Sequence, residues 1–172
     1  EQRLTRARQR LRENGDARGT MPERGHARLP AVLRAIHLLF NEGYWSGDDD
    51  APIRADLCRL ALGLARSLVE TYPGEPEAAG LLSLLLLHDA RRDARLDERG
   101  NPVPLPDQDR TRWDGEAIAR ATALLKGALG AGTPGPFQIE AAIAAVHSRA
   151  RTADTTEWAE IEVTGTEFLV HY

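Results

Sequence analysis

Lysine is almost missing from this sequence: Lys126 is the only one among 22 basic residues, and the others are arginines. With so much alanine beside it, that bias reads as the mark of a GC-rich bacterial genome. Cysteine is equally scarce. Cys58 stands alone, so no disulfide can form within the chain and nothing points to an oxidising compartment. There is no long apolar run. The stretch Leu81 to Leu87, interrupted by Ser83, falls far short of the roughly 20 residues that a bilayer demands. No apolar segment follows the arginine-rich start, so that start does not read as a secretory signal. HExxH and paired Cys/His spacings are also lacking. His88, Asp89, Glu140 and His147 are left as scattered candidates for a hydrolase or metal centre, and neither an enzyme, a metal nor a cofactor is expected. Cys58, beside Leu57 on a helix with no base near it in sequence, is expected to pack rather than react.

What is present is ordinary for a globular chain, with 42% hydrophobic and 28% charged residues over a length suited to one domain. The charge is unevenly placed. Residues 1–30 hold eight arginines against four acids, giving +4, whereas the remainder holds 14 basic and 22 acidic groups, giving −8. Any contact with nucleic acid is therefore expected in the basic leader, because the acidic body repels phosphate. The chain begins at Glu1, inside what reads as a helix, and is expected to be part of something longer.

Hydrophobic periodicity predicts an all-α fold. Residues 2–13 read as a short helix with Leu4, Ala7 and Leu11 on one face, stopped by Asn14-Gly15; alone it would be marginal in water. Residues 15–28 read as a linker. A second helix is expected from Leu29 or Pro30 to Glu42, ended by Gly43. A third spans about 52–71, with Leu57, Leu60, Ala61, Leu64 and Leu68 inward. The fourth, about 75–92, is apolar nearly all round and so should be central. The proline-interrupted stretch 93–112 must be a long loop, of the kind that is functional or pinned to the surface. Further helices are expected at about 114–129, capped by Asp114, and at about 136–150. A capping box at Asp154–Glu157 opens another. The last stretch, 161–172, alternates like a strand or frays. Short breaks between helices suggest antiparallel hairpins stacked in a tetratricopeptide-like bundle, although the 34-residue repeat period is not clean.

Five ordered segments carry a resemblance: LLFNEGYWSG (38–47), RADLCRLALGLAR (54–66), PGEPEAAGLLSLLLLHDARRDAR (73–95), LPDQDRTRWDGEAIA (105–119) and GPFQIEAAIAAVHSRA (135–150). Together they resemble the helical, tetratricopeptide-like C-terminal extension of a group of extracytoplasmic-function sigma factors, over about residues 29–158. The leader LTRARQRLRE resembles the end of sigma region 4, and the sequence departs from the family at about Glu162. The implied organisation is the end of region 4 over 1–14, a linker over 15–28, the extension over 29–160 and an atypical tail over 161–172. The resemblance implies a cytoplasmic regulatory or protein-interaction module, with RNA polymerase core and the sigma domains of the parent chain as partners. Promoter DNA would be met only through that parent chain, and no membrane is involved.

Two constellations are candidates for a partner or ligand surface. The first is Asn41, Glu42, Tyr44 and Trp45 at the end of a helix, where aromatics close an apolar edge or anchor a partner. In the second, the loop is expected to fold back so that Asp107 or Asp109 pairs with Arg91 or Arg92, with Arg110 close by and Trp113 packed beneath. A ligand-sensing alternative has the 93–112 loop roofing a pocket in which Arg91, Arg92 and Arg110 hold an anionic metabolite. In the leader, Arg3, Arg6, Arg8, Arg10 and Arg12 are placed to touch phosphates.

Overall fold

The computed structural model describes residues 23–45, 53–132 and 134–150. The leader arginines Arg3, Arg6, Arg8, Arg10 and Arg12, the capping box at 154–157 and the tail 161–172 lie outside the described residues. Among the described residues five helices form the body: α1 Leu29–Tyr44, α2 Ala55–Thr71, α3 Pro76–Asp89, α4 Gly115–Leu129 and α5 Pro136–Arg149. There is no strand among the described residues, so the all-α expectation holds. A single helical turn, Glu23–His26, lies at the end of the stretch read as linker and packs on α1. None of these helices is long and apolar enough to cross a membrane.

α3 is the centre because its sequence leaves it no polar face. Ala78 through Leu85 and Leu87 are all buried, and Leu81, Leu85 and Leu87 are wholly so. Such a helix must be covered on several sides, and α3 packs against all four others. Ser83, the one polar residue in the run, is tolerated because its hydroxyl donates to the Ala79 carbonyl at 2.8 Å. Gly80 lets α5 come close: a Cβ there would lie 2.8 Å from the Gln138 nitrogen.

α1 turns Leu29, Leu33, Ile36, Phe40 and Gly43 inward. The expectation that Gly43 stops this helix is wrong. Gly43 is helical, and its missing side chain makes room for the start of α2, since a Cβ would stand 2.8 Å from the Arg54 carbonyl oxygen and the Cys58 nitrogen. The Arg54 N–H then donates to the Gly43 carbonyl. α2 begins at Ala55 rather than near 52, and its inward face also needs correction. Cys58, Ala61, Leu62 and Ala65 are buried, whereas Leu60 and Leu64 are 53% and 45% exposed. The small residues allow close approach to the core, which rotates the large leucines outward. Cys58 is buried against the Phe40 carbonyl, and burial pushes its thiol pKa up.

α4 is capped by Asp114, whose carboxylate accepts from the Ala117 N–H at 2.9 Å. α5 is capped from elsewhere. Glu77, in the first turn of α3, accepts from the Phe137 and Gln138 N–H groups at 3.3 and 3.1 Å. Gly135 precedes the helix without a side chain, in the space that the Glu77 carboxylate fills. With its amide nitrogen toward the Ala128 carbonyl and its oxygen toward the Gly135 N–H, Gln138 ties this turn to α4. Glu77→Ala is therefore expected to cost about 1–2 kcal/mol by leaving α5 uncapped, with Glu77→Gln retaining part of it. Urea unfolding of the two variants measures the difference.

Candidate functional site

The α3–α4 connection is not loose. It starts with a 3-10 turn at Arg92–Ala94 and doubles back through a Leu96–Pro102 bridge. Asp97 holds that reversal, its carboxylate accepting from the Arg99 and Asn101 N–H groups at 2.9 and 2.8 Å, with Gly100 at φ +83°. Gln108 donates to the Val103 carbonyl, and the Asp114 N–H returns to the Ala90 carbonyl at the end of α3. The stretch is thus a fixed structure laid over the end of the central helix.

Around that end, aromatic and cationic side chains converge. Tyr44 stacks on Phe40 with ring centres 5.4 Å apart and tilts against His88 at the same distance. The Arg91 guanidinium donates to the Tyr44 hydroxyl at 3.1 Å and meets His88 Nδ1 at 2.8 Å. Arg95 lies over the Tyr44 ring at 3.3 Å and donates to the Tyr44 carbonyl, with exposed Trp45 5.9 Å away. Arg110 stacks on buried Trp113 at 4.4 Å and donates to the His147 and Ala150 carbonyls at 2.6 and 2.8 Å. A loop arginine thereby caps the C-terminal end of α5, where the helix dipole favours a cation.

The predicted aspartate–arginine pairing across the loop does not occur. Arg92 is taken by Asp89, three residues back at the end of α3, with Nε 2.9 Å from the carboxylate. Asp109 caps its own turn through the Thr111 N–H and hydroxyl, and Asp107 is exposed. Local partners win because they cost less chain entropy to engage than distant ones. Trp113 is buried beneath the loop. Of the residues singled out in sequence, the structure brings together Tyr44, Trp45, Arg91, Arg110 and Trp113. Asn41 and Glu42 are exposed on α1 and contribute no side chain to the cluster. Arg95 was missed, and its only signal is the four-residue spacing from Arg91.

Beside the cluster lies a cavity of about 270 Å³, between α3 and α5 and under Leu105 of the loop. Leu84, Leu105, Ile143 and Ala144 wall it, and His88, Arg91, Glu140 and His147 bring its polar groups. Three of the four scattered hydrolase or metal candidates therefore do meet, while Asp89 is elsewhere with Arg92. Burial first, then Arg91, His37 and Arg95, push the His88 pKa down to about 3. Because a guanidinium only donates, His88 Nδ1 must accept, which fixes the neutral ring with its proton on Nε2. Burial and the charges of Arg91 and Arg110 also lower the His147 pKa. Among the described residues, no three His, Cys, Asp or Glu side chains gather so as to hold a metal ion.

A second concavity, apolar and about 500 Å³, runs between α1 and α2 on the outer side, lined by Val32, Ala35, Ile36, Leu39, Leu64 and Leu68. Of its lining residues, Val32 is 44% and Leu64 45% exposed.

The class so defined is a helical bundle carrying an arginine- and aromatic-rich end and an open apolar groove. The chain belongs to the family of unknown function DUF6596, whose profile matches residues 28–129, from the start of α1 to the end of α4. It is similar to an uncharacterised protein of Rhizobium meliloti (strain 1021), with 44% identity over 164 residues, which is 95% of this chain. The chain spans 39% of that relative's length. No solved structure matches.

Proposed function

We propose that this chain is a protein-interaction module of an alternative sigma factor, acting in transcription initiation through contacts with the sigma domains of a longer parent protein or with RNA polymerase. The five sequence segments quoted above support the sigma-factor resemblance, and a relative more than twice as long leaves room for further domains. The observation that carries the interaction reading is the groove between α1 and α2. Val32, Leu60 and Leu64 leave large side chains in water beside an otherwise well-packed core. Apolar rows of this kind on stacked helical hairpins need a covering element, and a groove between two helices takes an amphipathic helix. The sigma domains are the partner this reading favours, because their tethering gives a high effective concentration. Such a module regulates by making different contacts in active and silent states.

Binding of the purified chain to the purified sigma domains tests this. Val32→Glu and Leu64→Glu change exposed positions, so each should shift stability by no more than about 0.5 kcal/mol. Each is expected to weaken the complex by roughly tenfold or more, since a carboxylate would then be desolvated in the groove. Undiminished binding by both variants would refute the groove as the contact surface.

A further inference from the structure

Three arginines at the end of α3 form no ion pair among the described residues. Arg91, Arg95 and Arg110 converge there, and all their hydrogen bonds go to neutral acceptors: the Tyr44 hydroxyl and carbonyl, the His88 ring, and the His147 and Ala150 carbonyls. Among the described residues, the ion pairs involve other groups: His26–Glu75, Arg54–Asp56, Arg92–Asp89 and Arg120–Glu116. This is anomalous in a body whose acids outnumber its bases. Holding like charges together in a partly desolvated place opposes folding, and such arrangements concentrate at functional sites.

Of the three guanidiniums, only Arg91 lines the cavity under Leu105. It is held in place by Tyr44 and His88 through a single terminal nitrogen. A guanidinium has five N–H donors in a fixed fork, so donors remain for a carboxylate. Leu84, Leu105, Ile143 and Ala144 give it apolar walls, beside the polar groups of His88, Glu140 and His147. The volume is slightly below the range of roughly 300–1,000 Å³ typical of drug-sized ligands, which suits a smaller molecule. Glu140 shares the cavity, and its charge opposes a dianion such as a phosphate monoester or a dicarboxylate.

We propose that this cavity binds a small monocarboxylate with an apolar body, its carboxylate on Arg91 and its body between Leu84, Leu105, Ile143 and Ala144. The site is independent of the sigma-factor reading and gives the loop a function: Leu105 is the roof, and Arg110 fastens the loop to the end of α5. A ligand seated there touches α3, α5 and the loop together and so stabilises their present arrangement over any other.

Titration of the whole 172-residue chain with hexanoate, octanoate and benzoate tests it, using hexanol and hexylamine as controls and following the Ile143 methyl and His147 ring resonances by NMR. At least one carboxylate is expected to bind roughly tenfold more tightly than hexanol, with hexylamine weakest. Arg91→Gln should abolish that preference. Should Arg91→Gln fail to fold, Leu105→Trp fills the cavity without touching the guanidinium and should abolish binding alone, with the urea midpoint as the folding check. Glu140→Gln should tighten carboxylate binding several-fold. Failure of all three carboxylates to bind more tightly than hexanol overturns the proposal, as does unchanged binding by Leu105→Trp.

Discussion

Leu85→Ala is expected to lower the unfolding free energy by about 2–5 kcal/mol, the cost of removing buried methyl groups and leaving a cavity that the surroundings fill only in part. Leu85 is wholly buried in α3, the helix against which the other four pack, so no neighbour can relax without disturbing another contact. For a chain of this length the melting temperature should fall by roughly 5–15 °C. Leu38→Ala is the control. Leu38 is 67% exposed on α1, and its truncation should stay within about 0.5 kcal/mol. Equal effects from the two substitutions in urea unfolding would mean that the leucine run is not the centre of the core.

Acid is expected to unfold this protein through His88. The folded ring has its pKa pushed down to about 3 from the ordinary 6.5. As the pH falls below 6.5 the unfolded chain takes up a proton at His88, while the folded chain does so only near pH 3. Between these values the unfolded state binds more protons, so stability is full above pH 6.5 and is lost progressively below it. The slope from this one group is about 1.4 kcal/mol per pH unit, reaching roughly 5 kcal/mol near pH 3. His147 shifts in the same direction and adds to the effect. The exposed carboxylates of Asp97 and Asp109, held low by their own hydrogen bonds, lose their contribution only as the pH falls through the ordinary carboxylate value of 3.8. His88→Gln keeps an acceptor for Arg91 but has nothing to titrate. It should flatten the dependence between pH 4 and 6.5, and an unchanged slope would show that the ring is not buried neutral.

Much of the fold was legible because the chain states it through period and punctuation. The leucine run with no polar face marked α3 as central, Pro136 marked the start of α5, and Asp114 marked a cap. Where the reading failed, the deciding contact was distant in sequence. Gly43 looks like a stop signal, yet it is a point of helix contact whose reason is the α2 backbone. Leu60 and Leu64 look inward-facing by spacing, but Ala61 and Ala65 allow the closer approach and win the core. Glu77 capping α5 spans sixty residues, and no local pattern announces it.

The candidate site was legible in its ingredients rather than its assembly. Tyr44, Arg91, Arg110 and Trp113 stood out as residue types that build surfaces, and they do meet. Their partners were misjudged because Asp89, close by in sequence, takes Arg92, and Asp109 turns its carboxylate to Thr111. His88, Glu140 and His147 were set aside for lacking metal spacing. What brings them together is the packing of α3 on α5, which periodicity cannot show.

The claim on which the functional reading rests is that this helical body acts on a sigma factor by contact. Reconstituted transcription from a promoter dependent on the proposed parent sigma factor measures it directly, comparing the intact protein with one truncated at Asp16 and with one carrying Leu64→Glu. Both changes are expected to alter transcript yield several-fold while polymerase alone is unaffected. Identical yields from all three proteins would contradict the claim and leave a well-packed helical bundle without a place in transcription.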